Sequence, residues 1–225
     1  MKSTEPNCDD LKFIVADDHP LFRAALTQAV KKVTKRAQVI EACDMAEVQN
    51  TIGLHPDTDV VLLDLTMPGV SGYSGLIYLK GQQPALPVIV VSGNDDDSVI
   101  RRVIEYGASG FIPKKLSLET MVLAIQSVLD GIIWVPNDVD LTVALVNEAE
   151  TQLANGIAML TPQQFRVLVM LMQGLLNKQI AFELSVSEAT VKAHVTAILR
   201  KLGVQSRTQA VIAARSLDLG EGSVS

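Results

Sequence analysis

The stretch Val60-Val61-Leu62-Leu63-Asp64-Leu65-Thr66-Met67-Pro68-Gly69 runs four apolar residues into a carboxylate and then into a proline turn. Apolar side chains without alternation predict a strand covered on both faces, as in a parallel sheet. Asp64 then falls at the strand's C-terminal end. The same grammar recurs along the chain. Phe13-Ile14-Val15-Ala16 ends in Asp17-Asp18, Val88-Ile89-Val90-Val91 ends in Ser92, and Phe111-Ile112-Pro113 ends in Lys114. Parallel strands bring such ends to one edge of a sheet, where open α/β folds build their sites.

Working outward, strands are predicted at 13–16, 38–42, 60–63, 88–91 and 110–112. Helices are predicted at 20–33, 45–54, 74–82, 97–106 and 118–129. The alternation implies an α/β fold, a doubly wound five-stranded parallel sheet. Asp44 with Glu47 forms a capping box, Ser117 caps the last of these helices, and Gly107 stands where a helix should stop. The amphipathic segment from Asp140 to Ala154, followed by Asn155-Gly156, reads as a helical linker; an extra helix packed on the first domain is an equal alternative.

From Leu160 to about Leu217 no strand signal occurs. Thr161-Pro162 starts a helix that ends near Gly174. A short helix spans about 177–184, and Ser185-Val186-Ser187 makes a tight turn. A long helix runs from Ser187 to Leu202 and stops at Gly203, and a last one covers about 207–217. A short and a long helix joined by a three-residue turn describe a smaller, all-α helix-turn-helix domain.

The 225 residues are 48% hydrophobic and 20% charged, which suits one or two domains with real cores. No apolar N-terminal signal and no uncharged apolar stretch of about 18 residues appears. The expectation is a soluble cytoplasmic protein without membrane partners. Cys8 and Cys43 form no motif and read as free thiols. His19, His55 and His194 are scattered and suggest no zinc site. The net charge of −6 hides an asymmetry: from Leu160 onward seven basic residues face four acidic ones, a net of +3, against −9 for the rest. Different partners for the two halves are implied, although charge alone does not prove nucleic-acid binding.

An aspartate can accept a phosphoryl group as a nucleophile. Asp17, Asp18 and Asp64 offer hard oxygen ligands for Mg²⁺, and a cation would relieve their mutual repulsion. Lys114 offers a positive charge and Ser92 a hydroxyl to phosphoryl oxygens. In the C-terminal part, Val191, Val195, Ile198 and Leu202 give the long helix one apolar face. Lys192, Ala193 and Thr196 lie on another. Lys reaches guanine acceptors, while Ala and the Thr methyl fit thymine methyls. Thr190, His194, Arg200 and Lys201 suit phosphate contacts. A merely solvated polar face is the alternative.

Taken together, Val15-Ala16-Asp17-Asp18-His19-Pro20-Leu21, Asp64-Leu65-Thr66-Met67-Pro68-Gly69, Ser92-Gly93 and Gly110-Phe111-Ile112-Pro113-Lys114 resemble the receiver domain of two-component response regulators. Leu160-Thr161-Pro162, Asn177-Lys178-Gln179-Ile180-Ala181, Ser187 to His194 and Lys201-Leu202-Gly203-Val204 resemble the LuxR-type helix-turn-helix. The whole is similar to the NarL/FixJ class, from about residue 11 to 217. The resemblance implies a receiver at 11–131, a partly helical linker at 132–158 and a DNA-binding domain at 159–218. It implies that Asp64 accepts a phosphoryl group from a sensor histidine kinase. Asp17, Asp18, Asp64 and the backbone carbonyl of Thr66 would hold Mg²⁺, and Ser92 with Phe111 would form the switch pair. Lys192, Ala193 and Thr196 would face bases in double-stranded DNA with a pseudo-two-fold operator.

Phosphorylation would release or dimerise a resting chain whose receiver masks the reading helix or keeps it monomeric. Val211, Ile212 and Leu217, or the face of the helix at 97–106, are dimer surfaces on this reading, and RNA polymerase is a further partner. The helix carrying Leu21, Phe22 and Ala25 would contact the kinase. The chain departs from common family patterns in two places. The switch aromatic is Phe rather than Tyr, and a proline precedes Lys114.

Three rivals bear on function. Aspartate-nucleophile phosphatases place a second acid two residues after the nucleophile, where this chain has Thr66, so an enzyme is not expected. A small-molecule sensor needs an aromatic-lined pocket, and aromatics make up only 4% of the chain. A regulator of the same family acting independently of phosphorylation is the closest alternative.

Overall fold

The computed structural model describes residues 11–70, 72–142 and 147–217. Five strands, β1 (Lys12–Ala16), β2 (Gln38–Ala42), β3 (Val60–Asp64), β4 (Val88–Ser92) and β5 (Gly110–Pro113), pair in parallel in the order β2-β1-β3-β4-β5. Helices α1 (Pro20–Val33), α2 (Met45–Leu54), α3 (Ser74–Gln82), α4 (Asp97–Glu105) and α5 (Leu118–Leu129) alternate with them. This is the doubly wound sheet that the apolar runs predict. Every residue of β3 and β4 is buried, because helices cover both faces, whereas edge strand β2 is largely open. Strand order reverses between β1 and β3, the place where such sheets bind ligands. The pairing of Ala16 with Leu63 sets Asp17 and Asp64 side by side there.

Local chemistry sets the helix ends. Asp44 Oδ1 accepts from Glu47 N at 2.8 Å, and Glu47 Oε2 accepts from Cys43 N at 2.7 Å, one residue earlier than a strict capping box. Ser117 accepts from Thr120 N. Gly107 leaves α4 with φ +91°, a conformation that side chains with a Cβ rarely adopt. Cys43 is a free, exposed thiol; Cys8 lies outside the described residues.

The linker differs from expectation. Residues around Trp134 run beside β5, where the Trp134 carbonyl accepts from Phe111 N at 2.9 Å. Asp140 makes a turn instead of starting a helix, its Oδ1 accepting from Thr142 N at 2.9 Å. The helix α6 runs Glu148–Ala158, capped by Asn147, whose Oδ1 accepts from Glu150 N at 2.9 Å. Part of the predicted helix, residues 143–146, lies outside the described residues. Asn155-Gly156 sits inside α6 rather than ending it. Gly156 is retained because a Cβ there would stand 2.6 Å from the Lys201 carbonyl oxygen.

Four further helices complete the chain: α7 (Pro162–Met172), α8 (Asn177–Glu183), α9 (Glu188–Lys201) and α10 (Arg207–Arg215). Thr161 and Gln164 cap α7 reciprocally. Thr161→Ala should therefore lower stability by about 1 kcal/mol, read from the midpoint of urea unfolding; an unchanged midpoint would show that water replaces the cap. The turn between α8 and α9 passes through Ser185 at φ +52°, and Ser187 caps α9 by accepting from Thr190 N at 3.1 Å.

The receiver has two cores. One lies under α1 and α5; the other, under α2, α3 and α4, continues without a break into α6–α10.

Candidate functional site

The loops after β1, β3, β4 and β5 converge. Asp64 is completely buried at the end of β3, and Asp17 is equally buried at the end of β1. Lys114, one residue beyond β5, places its ammonium 2.9 Å from Asp64 Oδ2 and 2.7 Å from Asp17 Oδ2. It also stands 5.0 Å from the centre of the Phe22 ring. Burial alone would lower the Lys114 pKa; its contacts with Asp17 and Asp64 outweigh that and hold it above the ordinary 10.5. A raised folded-state value means that this cation's contribution to stability is complete below the ordinary lysine range. It is lost only as pH rises through the folded value.

Thr66 N donates to Asp64 Oδ1 at 3.2 Å, and the Thr66 hydroxyl straddles both carboxylate oxygens at 3.0 and 3.1 Å. Ser92 is fully buried, and its Oγ accepts from Asn94 N at 3.2 Å. The Phe111 ring is also fully buried. His19, exposed on the loop after Asp18, joins this group, which residue reading alone did not anticipate. Its Nδ1 lies 2.7 Å from Asp18 Oδ1 and 3.3 Å from Asp17 Oδ1. The adjacency Asp17-Asp18-His19 was the signal available.

Ligand atoms of Asp17, Asp18, His19 and Asp64 all lie within 4.8 Å of one another. Asp17 Oδ2 and Asp18 Oδ1 are buried and receive no well-aligned hydrogen bond, although Lys114 and His19 are near. Buried carboxylate oxygens short of donors, clustered with a third carboxylate, suit a hard divalent cation. The receiver's acidic cluster thus fits Mg²⁺.

The α9 surface divides as its periodicity predicts. Val191 and Ile198 are buried, while Lys192, Ala193, Thr196, Thr190 and Arg200 are exposed. The receiver does not cover this face in the present arrangement of the domains. Two residues differ from expectation. His194 is half-buried, and Lys201 is committed within the domain, its Nζ 2.7 Å from both the Met159 carbonyl and Gln164 Oε1. The Thr196 hydroxyl donates back to the Lys192 carbonyl at 3.0 Å, so in this state its hydroxyl is engaged within the helix.

The expected dimer faces also divide. Ile212 is 64% exposed, but Leu217 is fully buried and its carbonyl accepts from Tyr73 N. On α4, Val99, Ile100 and Val103 are buried, Arg101 binds Asp97 and the Asp140 carbonyl, and Arg102 pairs with Glu150.

Comparison with known proteins agrees with both halves of this geometry. Residues 13–126 match the response regulator receiver domain, and residues 158–214 match the bacterial regulatory proteins of the luxR family. The chain is a response regulator. It is 40% identical over 212 residues to the glycerol metabolism activator of Pseudomonas putida, covering 92% of this chain and 96% of that protein. It is 34% identical to the nitrate/nitrite response regulator protein NarP of Escherichia coli K12, covering 92% and 95%. The fold is shared with RcsB from Salmonella enterica serovar Typhimurium, solved bound to promoter P1flhDC in the presence of the phosphomimetic BeF3⁻. That likeness has a TM-score of 0.54 at 24% identity and covers 92% of this chain and 98% of that one. The response regulator is therefore a DNA-binding transcription regulator and not an enzyme. Among the described residues no helix is long and apolar enough to cross a membrane.

Proposed function

We propose that this response regulator is switched by phosphorylation of Asp64 by a sensor histidine kinase, with Mg²⁺, and that the switch controls dimerisation and DNA binding. The observation that carries the reading is the convergence of Asp17, Asp18, Asp64, Ser92 and Lys114 on one edge of the sheet. An Asp64 carboxylate oxygen attacks phosphorus, and the phosphorus–nitrogen bond to the donor imidazole breaks with its electron pair returning to that ring. Lys114, already on Asp64 Oδ2, is placed to neutralise a phosphoryl oxygen. Asp17, Asp18, Asp64 and the Thr66 carbonyl would hold Mg²⁺, which supplies charge neutralisation on the phosphoryl oxygens. The Thr66 hydroxyl must leave the carboxylate for this. The Ser92 hydroxyl would turn from Asn94 toward the phosphoryl group, with Phe111 behind it as the switch aromatic.

A cleft bordered by His19, Leu21, Phe22, Thr66 and Asn94 reaches Lys114, the cation paired with Asp64, and is the approach we assign to the phosphoryl donor. Leu21 is 90% exposed and is the anchor we assign to the kinase. On α9, Lys192, Ala193 and Thr196 read bases, and Thr190, His194 and Arg200 contact phosphates of a pseudo-two-fold operator. Lys201 joins them only if it leaves Met159 and Gln164. A cytoplasmic site of action, a homodimer on DNA and contact with RNA polymerase complete the reading, as does the domain division at 11–131, 132–158 and 159–218.

One observation favours a second reading, a regulator acting without phosphorylation: the Phe111 ring is already fully inward. Selection of genomic DNA fragments, with and without Mg²⁺ and beryllium fluoride at fixed salt, separates the two. Enrichment of a symmetric motif only with the mimic supports the phospho-switch. Equal enrichment in both conditions supports the second reading. In the same assay Lys192→Ala should weaken specific binding by about tenfold to a hundredfold and relax preference at one position per half-site. An unchanged motif and affinity would remove Lys192 from the base-reading set.

A further inference from the structure

Successive side chains on an extended strand point to opposite faces, so Asp17 and Asp18 share one site only because the chain bends at Asp18 as it leaves β1. Mutually repelling carboxylates load that bend. Hydrogen bonds hold it from several sides. The Asp17 N–H donates to the Ala42 carbonyl at 3.1 Å, and the His19 N–H donates to Asp17 Oδ1 at 2.8 Å. The Asp17 carbonyl accepts from Arg23 Nη1 of α1 at 2.7 Å. Arg23 Nε donates at the same time to Glu41 Oε2 at 2.8 Å. The register of β1 on β2 sets Glu41 opposite Val15, beside the start of the bend. Thr27, one turn further along α1, donates its hydroxyl to Glu41 Oε1 at 3.4 Å. The Arg23 side chain is only 18% exposed.

A guanidinium donates in two fixed directions at once, which an ammonium does not. Here one arm grips the peptide between Asp17 and Asp18, and the other is anchored on β2. We infer that Arg23 is a positioning residue for the metal-holding carboxylates, fixing the Asp17–Asp18 peptide so that both side chains meet at one cation. This rests on the reading above that Asp17 and Asp18 hold Mg²⁺. The Arg23 bond goes to the Asp17 backbone and not to a carboxylate oxygen, so it orients the ligands without competing for them. Partners one step removed from a metal change its affinity by about 10–100-fold. Two plainer roles make different forecasts. A bridge that merely ties α1 to β2 affects stability and leaves Mg²⁺ affinity alone. A cation acting through its charge alone would repel Mg²⁺, so its removal would tighten binding. Only positioning makes the removal of a positive charge weaken the binding of a cation.

The test is calorimetric titration of the full chain with magnesium chloride, with a thermal melt of each protein. Arg23→Met keeps an apolar stem and removes both bonds, and Arg23→Lys keeps the charge but loses the fork. Lys12→Met breaks the ion pair with Asp57 at the opposite end of β1 and controls for lost stability alone. The expected result is Mg²⁺ affinity about tenfold weaker in Arg23→Met, about threefold or more weaker in Arg23→Lys, and unchanged in Lys12→Met. Any deficit of Arg23→Met in labelling by acetyl phosphate should close as Mg²⁺ is raised, because Arg23 does not touch the reacting atoms. Affinity within about threefold of wild type, or tighter, in folded Arg23→Met overturns the inference, as does an equal loss in Lys12→Met. Should Arg23→Met fail to fold, Arg23→Lys decides. If the wild type takes up no Mg²⁺, the reading of the acidic cluster fails and the inference falls with it. If it takes up Mg²⁺ but is not labelled, the phospho-switch fails while the Mg²⁺ affinities still decide the role of Arg23.

Discussion

Asp64→Asn is expected to abolish covalent labelling by acetyl phosphate and to remove any gain in DNA affinity from beryllium fluoride. Loss of a nucleophile that no neighbour replaces acts on the order of 10⁴–10⁶-fold. Asp17 is held much as Asp64 is, by Lys114 and by the His19 backbone N–H, which donates to its Oδ1 at 2.8 Å, so the variant also tests whether Asp17 can take over as acceptor. The amide keeps an oxygen for Thr66 N, so the loop geometry should survive. The variant should be no less stable than the wild type without Mg²⁺, because one of three clustered carboxylates has become neutral. It should also gain less from added Mg²⁺, since a ligand stabilises only in proportion to its binding. Mass spectrometry of the acetyl phosphate reaction and thermal melts with and without Mg²⁺ read both effects. Labelling of the variant at a wild-type rate would place the acceptor elsewhere and sink the assignment of Asp64.

Phe165→Ala should cost roughly 3–5 kcal/mol, the range for deleting a fully buried phenyl ring. Phe165 is 1% exposed, within a core that runs from the receiver into α6–α10, and its stacking on Tyr78 adds an aromatic pair to the lost area. Because that core runs through both domains, calorimetry should resolve two transitions in the variant where the wild type gives one, with the larger fall in the helix-turn-helix domain. Phe165→Leu refills most of the volume and should keep a single transition at a smaller cost. A variant that melts as one unit within about 1 kcal/mol of wild type would mean that Phe165 is not part of the joint core, and would contradict the packing described here.

Several features were readable from local signals because each depends on nearby residues. The runs 60–63 and 88–91 are apolar without alternation, which only strands covered on both faces require, and the structure buries them completely. Thr161-Pro162 and Ser187 start helices through side chains that act on backbone N–H groups three residues away. The linker does hold a helix, packed on α3 of the receiver, but its ends are not legible locally for a related reason. Its apolar periodicity extends back toward Asp140, but Asp140 and Asn147 are both capable caps, and only packing selects between them. Asn155-Gly156 looks like a stop when seen locally. A mid-helix glycine costs about 1 kcal/mol relative to alanine, and the close approach of α6 to Lys201 and Leu202 outweighs that cost.

Residue types and their spacing were sufficient for the parallel sheet, the acidic strand ends, Lys114 and the polar stripe on α9, since these follow from which side chains a strand end or helix face must present. Tertiary structure alone decided the rest. It brought His19 into the carboxylate cluster, drew Lys201 onto Met159 and Gln164, buried Leu217 against Tyr73, and seated α6 on Gly81 with α9 facing outward. Each of those outcomes joins residues on different elements or far apart in the chain. Which of several amphipathic faces closes on which is set by shape complementarity and burial, quantities that exist only once the elements have packed.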